Sequence, residues 1–189
     1  PEFEAIPVSA SSWEEALTAS KPDLLLVESA YQGVDGSWAT RVARFGGASR
    51  HLSALTEWCR DQAIPTVFWN KEDPINFDWF IESSRLFDWV FTVDGDQIPR
   101  YREELGHDRI GLLQFFAQPA LHRPGPDSAR TGSVAFAGSY YAAKHPGRRD
   151  QIEVVIDPTR DQGLQIFDRH GHTADDERFA WPSKYRPHI

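Results

Sequence analysis

The sequence predicts an α/β fold: a Rossmann-like, mostly parallel sheet with helices on both faces, followed by a partial second βαβ unit. Three observations point there. Apolar runs of strand length alternate with segments whose apolar residues recur at helical spacing, the pattern of right-handed βαβ units. Several runs, Leu24–Val27 and Thr66–Asn70 among them, are apolar without alternation, as strands buried on both faces are. Polar loops rich in Gly, Pro or Asp follow them. In such sheets ligands bind outside the carboxyl ends of the strands. Function is therefore expected in the loops Glu28–Trp38, Lys71–Phe77, Asp94–Gln97, Phe116–His122 and Gly138–Arg149.

Taken in order, Phe3–Val8 reads as a short strand. Ser11 and Ser12 precede Trp13, Ala16 and Leu17, with Glu14 and Glu15 in the first turn, which predicts a capped amphipathic helix. Lys21-Pro22-Asp23 breaks it, and Leu24–Val27 follows as a doubly buried strand. His51, Leu52, Leu55, Trp58 and Cys59 recur at helical spacing, and Thr66–Asn70 is the next strand. A helical pattern resumes over Asn76–Leu86. Trp89–Val93 is a strand, Asp94–Leu105 a loop and helix, and Ile110–Phe115 a strand. The stretch Pro119–Gly132 contains Pro119, Pro124, Gly125, Pro126 and Gly132 and reads as a linker. Beyond it come a strand over Ser133–Gly138, a helix over Arg148–Ile156 and a strand over Gly163–Asp168; His170–Ile189 predicts no element. The boundaries that follow are 1–122 for a Rossmann-like domain, 123–132 for a linker and 133–189 for the beginning of a second domain.

Composition narrows the function classes. Of 189 residues, 40% are hydrophobic and 25% charged, which suffices for a folded core. Lys+Arg 20 against Asp+Glu 28 leaves a net charge of −8, which argues against a general nucleic-acid binder but leaves room for a local basic site. No apolar run approaches the roughly 18 residues of a transmembrane helix, and no signal peptide is visible. The single Cys59 cannot form an internal disulfide; it reads as a buried helix residue in a reducing compartment, which predicts a cytoplasmic location. The chain has no Met, even at position 1, which suggests an excerpt of a longer protein.

Four groups of residues carry candidate chemistry. Lys71-Glu72-Asp73-Pro74 places an ammonium and two carboxylates at the carboxyl end of a strand. A carboxylate there can act as general base toward a hydroxyl or orient one, while Asp73 can equally cap a helix starting near Pro74. Glu28, in Glu28-Ser29-Ala30-Tyr31, emerges from a buried strand and is either solvated and structural or part of a pocket. Gly138-Ser139-Tyr140-Tyr141 closes a strand, and Lys144, His145, Arg148 and Arg149 follow as the densest basic cluster. A turn of this kind offers backbone N–H groups and a helix dipole to an anion, with the two tyrosines beside it for stacking; the alternative is a solvated helix start. Asp168, His170, His172, Asp175 and Asp176 are metal-ligand types, but no Cys joins them and no second zinc-spaced pair exists, so a hydrated loop is the reading preferred. No G-x-S-x-G elbow supports a hydrolase triad. The aromatics Trp69, Phe77, Trp79, Phe80, Phe87, Trp89 and Phe91 read as core, with one or two near Lys71–Phe77 placed to stack on sugar faces.

Four blocks occur in a familiar order. They are Pro22–Gly33 with Gly36-Ser37-Trp38, Trp69–Pro74, Phe87–Thr92, and Phe136–Tyr141 with Arg148. Together they resemble the CgeB-like family, named for a spore maturation protein and grouped with glycosyltransferases. The resemblance implies a GT-B arrangement, two Rossmann-like domains facing across a cleft, the first for the acceptor and the second for a nucleotide-sugar. Glu28 and Lys71 would then lie on the acceptor side, with Asp73 or Glu72 orienting or deprotonating the acceptor. Gly138, Ser139, Tyr140, Lys144 and Arg148 would bind the nucleotide-sugar and neutralise the leaving diphosphate, so that neither a metal nor another cofactor is required. The implied partners are the nucleotide-sugar, a glycan or other hydroxyl acceptor, and the remainder of a parent chain, with no nucleic acid. The family's later donor-domain segment, with the carboxylate that grips the sugar nucleotide, has no counterpart here. The expectation is thus a glycosyltransferase in the parent protein, the alternative being a non-catalytic glycosyltransferase-like binding or interaction module. A flavodoxin-like regulatory domain would want a phosphoacceptor Asp where this sequence has Glu28.

Overall fold

The computed structural model describes residues 3–125, 132–141, 146–171 and 177–189. They divide into two compact units, Pro1–Ala117 and Gln118–Ile189. The first has an α/β, Rossmann-like fold in which helices flank a four-stranded parallel sheet of order β1-β2-β3-β4. Its elements are α1 (Trp13–Ser20), β1 (Leu25–Glu28), α2 (Arg50–Asp61), β2 (Thr66–Asn70), α3 (Phe77–Ser84), β3 (Trp89–Thr92), α4 (Ile98–Leu105) and β4 (Ile110–Leu112). Among the described residues, no helix is long and apolar enough to cross a membrane.

Local chemistry explains the helices. Ser49 caps α2 by accepting a hydrogen bond from the Leu52 amide, and the buried positions Leu52, Leu55, Thr56 and Cys59 fall on one helical stripe. Gly106 ends α4 in the left-handed conformation, where its missing Cβ removes the usual strain. Helix α1 forms without the expected cap: the Ser12 side chain makes no capping bond, and the Ser12 carbonyl accepts from Ala16.

The sequential strand order has a consequence for layering. Right-handed crossovers between strands taken in order carry the connecting helices to the same side of the sheet. The core agrees with this. Leu25, Phe68, Val90 and Ile110, which share one face, are packed with Leu17, Leu52, Leu55, Phe77, Phe80 and Tyr101 from the four helices. Phe68 is the centre of this layer, with Phe87 and Phe80 ring centroids at 5.2 and 6.3 Å. The opposite face carries Leu26, Val67, Trp69, Trp89 and Phe91, and its cover is thin: Leu26 is 54% exposed and Trp89 46%. The expectation of a doubly buried strand at Leu24–Val27 is corrected accordingly. The strand is Leu25–Glu28, it lies at the sheet edge, and Leu24 and Leu26 face solvent. Trp79 and Trp89, read as core, are likewise exposed.

Phe3–Val8 forms no strand, although its residue types suit one. No neighbouring strand offers it a ladder, and the segment is tied to a loop instead. The Trp38 indole donates to the Val8 carbonyl at 2.8 Å, and the Ala10 amide to Ser37 Oγ at 2.8 Å. The strand expected over Ile110–Phe115 stops at Leu112, where its pairing with β3 ends. Within the sheet, Gly111 admits the Phe91 ring: a Cβ there would lie 2.6 Å from Phe91 Cε1.

The second unit contains β5 (Ala135–Gly138), α5 (Pro146–Ile156) and β6 (Gln165–Asp168), with β5 and β6 paired in parallel. Both strands begin two residues later than predicted. The linker reading falls partly on residues 126–131, which lie outside the described residues. The stretch His170–Ile189, for which no element is predicted, holds a 3-10 turn at Ser183–His188. It seals the unit: Trp181 packs against Tyr140, Tyr185 and Phe136 with ring centroids at 5.0, 5.7 and 5.8 Å. A polar clamp holds it down. Lys184 donates to Glu153 at 2.7 Å and to Asp157 at 2.9 Å; Tyr140 donates to Glu153 and Tyr185 to Asp157. Lys184 and then Tyr140 hold the Glu153 carboxyl low, and Tyr185 and then Lys184 do the same for Asp157.

Two predictions follow from this architecture. Phe68→Ala should cost about 3–5 kcal/mol in urea unfolding, whereas Leu26→Ala on the thinly covered face should cost under about 1 kcal/mol. Equal losses would show that both faces are packed alike. In the second unit, carboxyls held low in the folded state stabilise it above their unfolded pKa, and that contribution disappears as pH falls through the folded values. Amide-exchange protection of Ser183–His188, corrected for intrinsic rates, should therefore fall with pH in the wild type. In Lys184→Gln it should already be low at neutral pH and change less on acidification.

Candidate functional site

The carboxyl ends of β1, β2 and β3 bring together most of the acceptor-side residues singled out in the sequence. Strand pairing sets Glu28 beside Trp69, and the Ser29 amide continues the ladder by donating to the Trp69 carbonyl at 2.9 Å. The buried Ser29 hydroxyl then accepts from the Lys71 amide at 2.8 Å, which ties the two exit loops together. Lys71 Nζ lies 2.5 Å from Glu28 Oε2 and 5.7 Å from the centre of the Trp69 ring. Glu28 is thus an exposed carboxylate paired with an ammonium, and Lys71, Glu72 and Asp73 are half-buried.

Asp73 and Glu72, adjacent in sequence, have different surroundings. Asp73 faces inward. Its Oδ1 accepts from Asn70 Nδ2 at 2.8 Å, and its Oδ2 accepts from the Thr92 hydroxyl at 2.6 Å and the Tyr101 hydroxyl at 3.0 Å. Burial pushes the Asp73 carboxyl above the ordinary aspartate range, with the Thr92 and Tyr101 bonds opposing it. Asp73 does not cap a helix: α3 starts at Phe77, with Asn76 at the cap position. Glu72 points the other way, its Oε2 accepting from Asn76 Nδ2 at 2.9 Å and the Tyr31 hydroxyl at 3.2 Å. Burial, and then the Glu72 charge, push the Tyr31 phenol up to about 12, so Tyr31 stays protonated and remains a donor. The Glu72 amide in turn donates to Asn70 Oδ1 at 3.0 Å.

Asn70, Thr92 and Tyr101 were not among the residues the sequence singled out. A signal for two of them exists: Asn70 and Thr92 are polar residues closing adjacent apolar strands, and both are fully buried. A polar group in that position requires a partner. One concavity of this unit lies elsewhere, lined by Leu17, Lys21, Trp58 and Ile64 at the amino ends of the strands. The carboxyl-end cluster is an open shelf.

In the second unit, Gly138 ends β5, and Ser139 and Tyr140 after it are buried. Tyr140 belongs to the core, its ring tilted against that of Trp181 and its hydroxyl on Glu153, so the ring is not presented for stacking on a ligand. Arg148 is exposed, its guanidinium 5.8 Å from the Tyr141 ring. Lys144 and His145 lie outside the described residues, as do His172, Asp175 and Asp176. Among the described residues, no three His, Cys, Asp or Glu side chains are grouped to hold a metal ion.

No family model, curated protein or solved structure matches this chain in comparisons of its sequence and fold.

Asp73 supplies a pH test. Because its folded pKa is raised, ionised Asp73 weakens the fold at high pH, and this is relieved as pH falls through the folded value toward the unfolded one. The wild type should therefore gain stability relative to Asp73→Asn as pH is lowered through the acid range, measured by urea midpoints. A loss instead would mean that the three donated bonds outweigh burial.

Proposed function

We propose that this chain is the acceptor-side domain and the start of the donor-side domain of a GT-B-type glycosyltransferase resembling the CgeB-like family. The observation that carries the reading is the shelf of Glu28, Lys71, Glu72 and Tyr31 at the carboxyl ends of parallel strands, where α/β sheets bind ligands. An acceptor hydroxyl set against Glu72 passes its proton to that carboxylate as its oxygen attacks the anomeric carbon. The bond from that carbon to the diphosphate breaks, and the electron pair leaves with the diphosphate. Asp73, bonded on both oxygens by Asn70, Thr92 and Tyr101, holds the loop, so the base is Glu72. Lys71 offsets the charge of Glu28. In the second unit, the Gly138-Ser139 backbone with Lys144 and Arg148 is the proposed diphosphate-binding segment, and the reaction as proposed calls for no metal. A cytoplasmic setting fits the lone buried Cys59.

A second reading, a glycan-binding module without transfer, is favoured by the same Asp73 contacts, which leave one carboxylate rather than two for acid–base work. Calorimetric titration of the full-length protein with UDP and GDP, followed by assay of sugar release from UDP- and GDP-sugars, separates them. The glycosyltransferase reading expects nucleotide binding that weakens roughly tenfold in Arg148→Ala, the loss of about one charge-assisted contact. It also expects turnover that Glu72→Gln abolishes. Absence of nucleotide binding, or an unchanged Arg148→Ala, overturns it.

A further inference from the structure

The sheet face away from the helical core ends, at the carboxyl edge, in a row that joins aromatic rings to charged groups. Strand register aligns Glu28, Trp69, Phe91 and Gly111 across the four strands. Beyond β4 the chain turns back over this row. The Leu113 amide donates to the Thr92 carbonyl at 2.8 Å, and the Leu113 carbonyl accepts from the Trp69 indole at 2.8 Å. Those two bonds fix the exit of β4 and set the Phe115 ring against Trp69, with centroids 5.9 Å apart and planes inclined by 55°. Phe115 nonetheless remains 68% exposed. An aromatic ring that is positioned by the backbone yet left in water gains little from burial. At its rim stand an acceptor and a donor, the Glu28 carboxylate and the Lys71 ammonium, the latter 5.7 Å from the same Trp69 ring.

We propose that Trp69, Phe115, Glu28 and Lys71 form a saccharide subsite that takes an uncharged hexopyranose unit. This deepens the acceptor-side reading and rests on it. A pyranose has what the surface lacks. Its C–H faces are apolar and carry partial positive charge, which suits the negative faces of aromatic rings. Its ring-edge hydroxyls both donate and accept, which suits a carboxylate next to an ammonium. The charge balance selects against an anion: Glu28 already pairs with Lys71, so a phosphate or uronate meets a carboxylate beside an ammonium that is not free to neutralise it. The base of a nucleotide would stack on the rings, but the nucleotide's phosphates meet the same repulsion, and the uncharged nucleosides are left to competition.

Saturation-transfer NMR on the full chain tests the subsite, with the methyl glycosides of glucose, galactose and N-acetylglucosamine as probes and uridine and adenosine as competitors. The expected result is transfer strongest on the C–H protons of one sugar face. Phe115→Ala should weaken affinity roughly three- to tenfold and Phe115→Tyr should restore it, while Phe167→Ala on β6 has no effect. Because Phe115 is exposed, these variants are expected to fold. No transfer to any glycoside, equal affinity in Phe115→Ala, or displacement by the nucleosides at lower concentration overturns the subsite. The outcome is separable from the transfer reaction. Glycoside binding through Phe115 without nucleotide binding keeps the subsite and removes the transferase reading, whereas nucleotide turnover indifferent to Phe115 does the reverse.

Discussion

The carboxyl edge of the sheet depends on one half-buried, inward-facing carboxylate. Asp73 accepts from β2 through Asn70, from β3 through Thr92 and from α4 through Tyr101, so three elements converge on two oxygens. Asn70 doubles the connection by also donating to the Tyr101 hydroxyl at 2.8 Å and accepting from the Glu72 amide. The loop after β2 is thereby anchored. Burying a carboxylate is costly unless donors surround it, and here three side chains supply that surrounding. Removing any one of them would leave a partly buried charge short of a partner, a heavier penalty than the loss of an ordinary surface bond.

Topology is the second constraint. Strands taken in chain order with crossovers of one hand concentrate the helices, and the apolar faces of α2, α3 and α4 meet Leu25, Phe68, Val90 and Ile110. The other face keeps apolar side chains because the ladder needs residues that suit a pleated surface, not because a second layer of comparable density covers them. What distinguishes its carboxyl end is charge: Glu28 stands in line with Trp69 and pairs with Lys71, whereas the neighbouring row of Leu26, Val67 and Trp89 carries none.

Sequence pattern reads elements well where the signal is local. The runs Thr66–Asn70 and Trp89–Thr92 and the stripe Leu52–Leu55–Cys59 declare themselves through residue type and spacing. Pattern fails where structure is defined by a neighbour. Phe3–Val8 has strand residues and no partner strand, and Leu24–Val27 is apolar enough for a centre yet occupies an edge. The site divides in the same way. Glu28, Lys71 and Glu72 are visible because charged residues directly after apolar strands emerge at the carboxyl edge. The inward turn of Asp73 is not visible, because it is decided by Thr92 and Tyr101, far along the chain. Tyr140 reverses for a similar reason: next to a Gly turn it looks like a ligand platform, but Trp181 claims its ring for the core.

The contrast between Asp73 and Glu72 bears on how such a shelf can act on a hydroxyl. A base that also holds the fold together would have to give up structural bonds each time it took a proton. Separating the roles avoids this: Asp73 is tied by three inward donors, and Glu72 is aimed outward by Tyr31 and Asn76. Tyr31 keeps its proton because burial and the Glu72 charge both oppose its ionisation, so the pair offers a carboxylate steadied by a donor rather than two competing anions. Glu28 is balanced by Lys71 in the same neighbourhood. The shelf therefore combines a fixed frame with an outward carboxylate, and the frame is carried by residues that do not need to move for that carboxylate to take up a proton.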